Sequence, residues 1–142
     1  MRIAGLTVAL LLIGARGSLA QTAADSAAAR AAAADYVKAW YDGDAALMEQ
    51  VLHPDLAKRN VSADQNGRSR FGHMGAMAMV RATRGRTPQP ADRRLLEVTL
   101  FDLQGTAASA RVVSGDFIDY VHLAKVDGRW LIINDLWTGR PR

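Results

Sequence analysis

The stretch from Phe117 to Trp137 constrains this chain more than any other. It reads FIDYVHLAKV, then Asp127-Gly128, then RWLIINDLW. An Asp-Gly pair between two β-rich runs specifies a two-residue hairpin, because a type I′ turn needs positive φ at both central residues. The register of the hairpin decides which side chains share a face. Counted outward from the turn, Val126 pairs with Arg129, Ala124 with Leu131, His122 with Ile133, Tyr120 with Asp135 and Ile118 with Trp137. One face would then gather Tyr120, His122, Asp135 and Trp137. Apolar walls with a few convergent polar groups are what a small-molecule pocket needs. A His beside an Asp is also the pattern of a general base with its orienting partner. The same residues suit a purely structural network, a Tyr–Asp hydrogen bond with a satisfied core His. The opposite face carries Trp130, Ile132, Val121, Leu123 and Leu136, with Asn134 and Asp119. Helices can cover only one face of a sheet, so the outer face is expected either to form a homodimer or to be shielded by strong curvature.

The rest of the chain reads as helices followed by strands. Ala33, Tyr36, Val37, Trp40 and Tyr41 recur at helical spacing, and Gly43 ends that helix. Asp44 is placed to cap a second helix over Ala45–Leu52, which stops at His53-Pro54. Leu56–Ser62 reads as a short strand, DQNGRS as a loop, and Phe71–Thr83 as a third helix ending near Gly85. Four strands then follow, about Arg94–Leu103, Ala107–Ser114, Phe117–Val126 and Arg129–Trp137, with Gly105 and Gly115-Asp116 at the turns. The expected fold is α+β, one sheet with a helical layer on one side.

At the N-terminus, Met1-Arg2 precedes an apolar run from Ile3 to Ile13, and Ser18-Leu19-Ala20 forms a small-x-small cleavage site. This is the layout of a secretory signal peptide. The alternative, an uncleaved anchor, is short of the roughly 20 apolar residues that a span needs. The expected division is a signal peptide over 1–20, a flexible lead-in over 21–27 and one domain over 28–142, exported to the periplasm or beyond, with no membrane span in the mature chain. Without Arg2 and Arg16 the 18 basic residues fall to 16 against 14 acidic ones. That balance is too small to argue for a nucleic-acid partner, and none is expected. The arginines between Arg68 and Arg94 form either an anion-attracting patch or a solvated face. The chain has no cysteine, so thiol chemistry and disulfides are excluded, and no HxH or HExxH spacing suggests a metal. No metal and no cofactor are expected.

The Gly43-Asp44 link, the His53-Pro54-Asp55 stop and the ending Gly128-x-Trp130-x-Ile132 resemble the nuclear transport factor 2-like superfamily. DYVHLAKVDGRWLIINDLW is similar, more narrowly, to the exported bacterial proteins labelled "putative lumazine-binding". The resemblance covers about Ala28 to Trp137. It implies a cone: a curved antiparallel sheet wrapped around three helices, with a pocket at the wide end. It also implies that the last strand turns alternate residues inward, which would place Leu131, Ile133, Asp135 and Trp137 beside Tyr120 and His122. Within the superfamily, the ketosteroid isomerases carry an oxyanion-donating Tyr where this chain has Tyr36. Their catalytic Asp falls on Asn60, and their second oxyanion donor falls on Tyr120. An amide is not basic near neutral pH, so Asn60 departs from the isomerase pattern. Fold alone does not assign function.

Three functions remain open. A binding domain would wall a small, partly aromatic ligand with Tyr36, Trp40, Tyr120 and Trp137. Asn60, His122 and Asp135 would fix its polar edge, and Arg59 would meet an anionic group. A lyase or isomerase would use His122 and Asp135, with Tyr36 or Tyr120 as acid. The third function is a dimeric interaction module of the cell envelope.

Overall fold

The computed structural model describes residues 11–141, with side chains from Thr22 onward. The expected signal peptide lies outside the described residues over its first ten positions. The described residues form helices α1 (Leu11–Asp42), α2 (Ala45–Val51) and α3 (Ala76–Arg84). They also form strands β1 (Leu52–Ala63), β2 (Ser69–Met74), β3 (Leu96–Gln104), β4 (Ala107–Ser114), β5 (Phe117–Val126) and β6 (Arg129–Gly139). The strands make one sheet in the order β2-β1-β6-β5-β4-β3. All neighbours are antiparallel except β1 and β6, which run parallel. The α+β class holds, and the sheet is mixed, curled and open, where a wholly antiparallel one was expected.

Helix α1 lies across the sheet on a seam of small residues. Ala29, Ala32 and Ala33 are buried, and their small side chains let the helix approach β3, β4 and β6 closely. Further along, Tyr36, Val37 and Tyr41 enter the core with Met48, Val80, Val121, Leu123 and Ile132. The Tyr41 hydroxyl donates to Leu95 O at 2.7 Å and accepts from Gly115 N at 2.8 Å, tying the end of α1 to the far sheet edge. Asp44 caps α2, its Oδ1 accepting from Ala46 N and Leu47 N at 3.0 and 2.9 Å.

Three expectations need correction. Helix α1 continues through residues 21–27, the expected flexible lead-in, where Asp25 accepts from Lys125 Nζ at 2.6 Å and Trp130 Nε1 at 3.3 Å. The segment Phe71–Met74 is strand, not helix, because it completes the edge pairing Val61–Phe71 through Lys58–Met74. Its two glycines already weaken a helix there. The third correction is to the hairpin. Asp127 and Gly128 have φ of 49° and 79°, as the turn requires, and the register runs as expected from Val126–Arg129 to Leu123–Ile132. Beyond that point Ile133 is left unpaired as a bulge, and His122 pairs with Asn134. One extra residue on one strand moves every later side chain of β6 to the other face relative to β5. Tyr120 therefore faces Leu136, and Val121 faces Asp135.

Gly43 joins α1 to α2 at φ +67°, and a Cβ there would stand 2.7 Å from Arg86 O. Gly43→Ala should cost roughly 2–3 kcal/mol, from the left-handed backbone plus the displaced carbonyl. Urea denaturation measures this, and an unchanged midpoint would contradict it.

Candidate functional site

The Ile133 bulge turns Asp135 and Trp137 inward. In the resulting rows, Lys58 of β1 lies beside Asp135, itself opposite Val121 of β5, and Asn60 lies beside Trp137, itself opposite Asp119. The Lys58 side chain is long enough to cross β6 diagonally. Its ammonium donates to Asp119 Oδ1 at 2.8 Å and to Asp135 Oδ2. From α1, the Tyr36 hydroxyl donates to the same Asp135 oxygen at 3.0 Å. All four side chains are buried. The Lys58 Nζ also lies 5.5 Å from the Tyr36 ring centre and 5.3 Å from that of Trp137, within cation–π range.

Above this cluster opens a cavity of about 220 Å³. Its floor holds Lys58, Asp119, Tyr36 and Ser114, and its walls are Val37, Trp40, Met74, Met79, Phe117 and Trp137. Phe117 meets Trp137 edge to face, with ring centres 5.1 Å apart. Trp40 is held from behind, for the Arg86 guanidinium stacks on its ring at 3.8 Å and donates to its carbonyl. Two aromatic walls are thus fixed before anything binds.

The electrostatics beneath the floor centre on Asp135. Burial pushes its carboxyl up, the Lys58 ammonium opposes the rise, and the Asp119 charge adds to it, leaving the pKa at about 7. Its Oδ1 has no hydrogen-bond partner among the described residues, so that oxygen is free to carry the proton. Burial, reinforced by Asp135 and Asp119, holds the Tyr36 hydroxyl well above its usual value, so Tyr36 remains a donor. Near neutrality Asp135, beneath the floor, therefore stands between its neutral and its charged form.

Tyr36, Trp40 and Trp137 line the cavity as the sequence suggested, and Asp135 lies buried beneath it, hydrogen-bonded to Tyr36 but not lining it. Asn60 shares the inward face and fills the space over Gly72, where a Cβ would lie 2.0 Å from its Oδ1, but it does not line the cavity. Arg59, Tyr120 and His122 lie on the outer face. Arg59 and His122 are exposed, and Tyr120 is 46% exposed. The expected His122–Asp135 pair is therefore not formed, because the bulge places the two on opposite sides of the sheet. Lys58 and Asp119 went unrecognised. Their signal was parity: Lys58 shares a strand face with Leu56, and Asp119 shares one with Val121 and Leu123, so each puts a charge on a core-facing position. Among the described residues no group of three or more His, Asp or Glu could hold a metal ion.

A family model described as "Putative lumazine-binding" matches residues 24–138. The chain belongs to that family. Its fold is that of the nuclear transport factor 2-like proteins. One such protein of unknown function from Shewanella baltica superposes with a TM-score of 0.67 at 17% identity, over 84% of this chain and 97% of that one. Another of unknown function, from Methylobacillus flagellatus, gives 0.67 at 23% identity, over 82% and 93%. A ketosteroid isomerase-like protein from Erwinia carotovora gives 0.58 at 14%, over 82% and 96%. At these identities the likeness speaks for the fold alone. No curated protein matches the chain.

Asp135 also makes folding depend on pH. Its folded pKa lies above its unfolded one, so its contribution is fully present below about pH 4 and is lost as pH rises through about 7. The full span corresponds to on the order of 4 kcal/mol. The urea midpoint of the wild type should fall between pH 5 and pH 8.5, and Asp135→Asn should flatten that slope. A slope unchanged in the variant would remove Asp135 as its source.

Proposed function

We propose that this member of the family is an exported binding domain whose cavity holds a small, planar, partly aromatic molecule. The observation that carries this reading is the cavity itself, with fixed aromatic walls over a charged, hydrogen-bonding floor. At about 220 Å³ it exceeds the ~150 Å³ hollow that accommodates benzene, which suits one or two fused rings. Trp40 and Trp137 would flank the rings, and Lys58 and Asp119 would meet donors and acceptors on one edge. Lumazine, named in the family's description, is a bicyclic molecule with such an edge. Export rests on the N-terminal layout of basic start, apolar run and small-residue site. Among the described residues no helix is long and apolar enough to cross a membrane. Trp130, Ile132, Val121 and Leu123, expected on the face opposite Tyr120 and His122, are buried in the core, so a homodimer through the outer face would rest instead on Leu136, Tyr120, Val61 and Phe71, all substantially exposed.

Native mass spectrometry of protein from its own host would test export, assembly and occupancy together. A chain starting at Gln21, as a dimer with a discrete retained mass, is the expected result. Quenching of Trp fluorescence by lumazine and related pteridines would test the ligand class. Saturable quenching is expected, with Trp137→Leu weakening binding at least about tenfold. A panel that gives no response would sink that class.

A second reading has an observation of its own. A carboxyl with a pKa of about 7, hydrogen-bonded to a buried phenol, is tuned for proton transfer near neutral pH. An isomerase or lyase on this site would use Tyr36, which lines the cavity, with Asp135 behind it as its hydrogen-bonded partner, and without His122. Its rate should rise through about pH 7 and collapse in Asp135→Asn.

A further inference from the structure

The charges around the cavity limit what can enter it. Among the residues lining it, Lys58 is the cation and Asp119 the anion. Lys58 is already engaged by two carboxylates, at Asp119 and Asp135. Arg59, the residue sequence reasoning offered to an anionic group, lies exposed on the other face of the sheet. Arg86 stands behind Trp40, stacked on its ring and bonded to its carbonyl, and does not line the cavity. The groups facing Asp135 are Lys58 from β1, Asp119 from β5 and Tyr36 from α1. One ammonium thus stands among two carboxyl groups, which leaves no uncompensated positive charge facing the cavity. An anionic ligand would therefore lose hydration in a largely apolar cavity without gaining a free counter-charge, at a net cost.

A neutral ligand faces a different situation. An ammonium has three donors, and two are used by the carboxylates, which leaves one for a ligand carbonyl or ring nitrogen. A carboxylate accepts at both oxygens, so Asp119 can take a ligand N–H while holding Lys58. A cationic N–H gains the uncompensated negative charge as well.

We propose that this cavity selects neutral or cationic planar ligands with an N–H donor on the edge, of the amide or amidine kind, and excludes carboxylates, with Asp119 as the residue that sets the choice. The proposal rests on the small-molecule reading above and specifies its substrate class.

Benzamidine, benzamide and benzoate make a suitable series, since they share shape and size and differ in charge. Their affinities for the purified protein would be measured by Trp fluorescence and calorimetry near pH 8. Benzamide and benzamidine are expected to bind at least about tenfold more tightly than benzoate. In Asp119→Asn, which adds one positive charge to the floor, benzoate should gain at least about tenfold relative to benzamidine. Benzoate binding as tightly as the other two in the wild type overturns the proposal while leaving a small-molecule cavity in place. An unchanged ranking in a folded Asp119→Asn overturns the role of Asp119. Should the variant not fold, the wild-type series decides by itself. Failure of all three to bind at about 10 mM overturns the cavity reading, and the selectivity with it.

Discussion

One unpaired residue, Ile133, determines which chemistry reaches the core. Side chains alternate strictly along a strand, so a bulge acts as a switch of face for everything beyond it. On the turn side of Ile133 the hairpin buries Trp130 and Ile132 with Leu123 and Val121. On the far side it buries Asp135 and half-buries Trp137, where an unbroken register would pair them with Tyr120 and Ile118. The parallel contact of β1 with β6 then sets Lys58 beside Asp135. Cavity floor, ion cluster and aromatic wall all follow from that displacement.

The ion cluster is not an efficient way to stabilise a small domain. Moving a charge out of water costs several kcal/mol, and the attraction recovered inside often does no more than balance it. Apolar residues of similar size at 58, 119 and 135 would satisfy the same sheet positions without that cost. The fold instead keeps three ionisable groups inside and, among the described residues, leaves Asp135 Oδ1 without a hydrogen-bond partner. Stability comes from elsewhere: the alanine seam of α1, the Tyr41 tie to both Leu95 and Gly115, and the core around Val121 and Ile132. Cost concentrated at the base of a cavity and repaid at a distance is the distribution expected of a functional site.

Most of the fold was legible in the sequence because its signals are local. Asp127-Gly128 demanded the hairpin turn, Asp44 the cap, and the spacing of Tyr36, Val37 and Tyr41 the buried face of α1. The site was legible only in part. Tyr36, Trp40, Asp135 and Trp137 were recognised, since aromatic and acidic residues in an apolar strand or helix stand out. The bulge was not, because Ile132 and Ile133 are alike in size and polarity and nothing in their chemistry says which of them leaves the ladder. The error then spread to His122 and Tyr120, which an unbroken register carries to the wrong face. Phe71–Met74 was misread for a related reason. An edge strand is specified by its partner β1, several residues away, and not by its own pattern.

On the proposed binding reading, the carboxyl that opposes folding would also link occupancy to stability. When the cavity is empty and the pH rises through about 7, Asp135 must either keep a proton that solvent is taking up or carry a charge in a poorly hydrated place. A ligand bearing positive charge relieves that conflict. It favours the ionised carboxylate, so its binding would release a proton near neutrality and would add most to stability where the empty fold is weakest. A neutral ligand would act in the opposite sense, excluding water from the floor and favouring protonated Asp135. The sign of the proton exchanged on binding therefore reports the charge of the ligand. On the proposed binding reading, the buried Lys58–Asp119–Asp135 cluster would be an element of recognition, and its cost to the empty protein would make the fold responsive to what fills it.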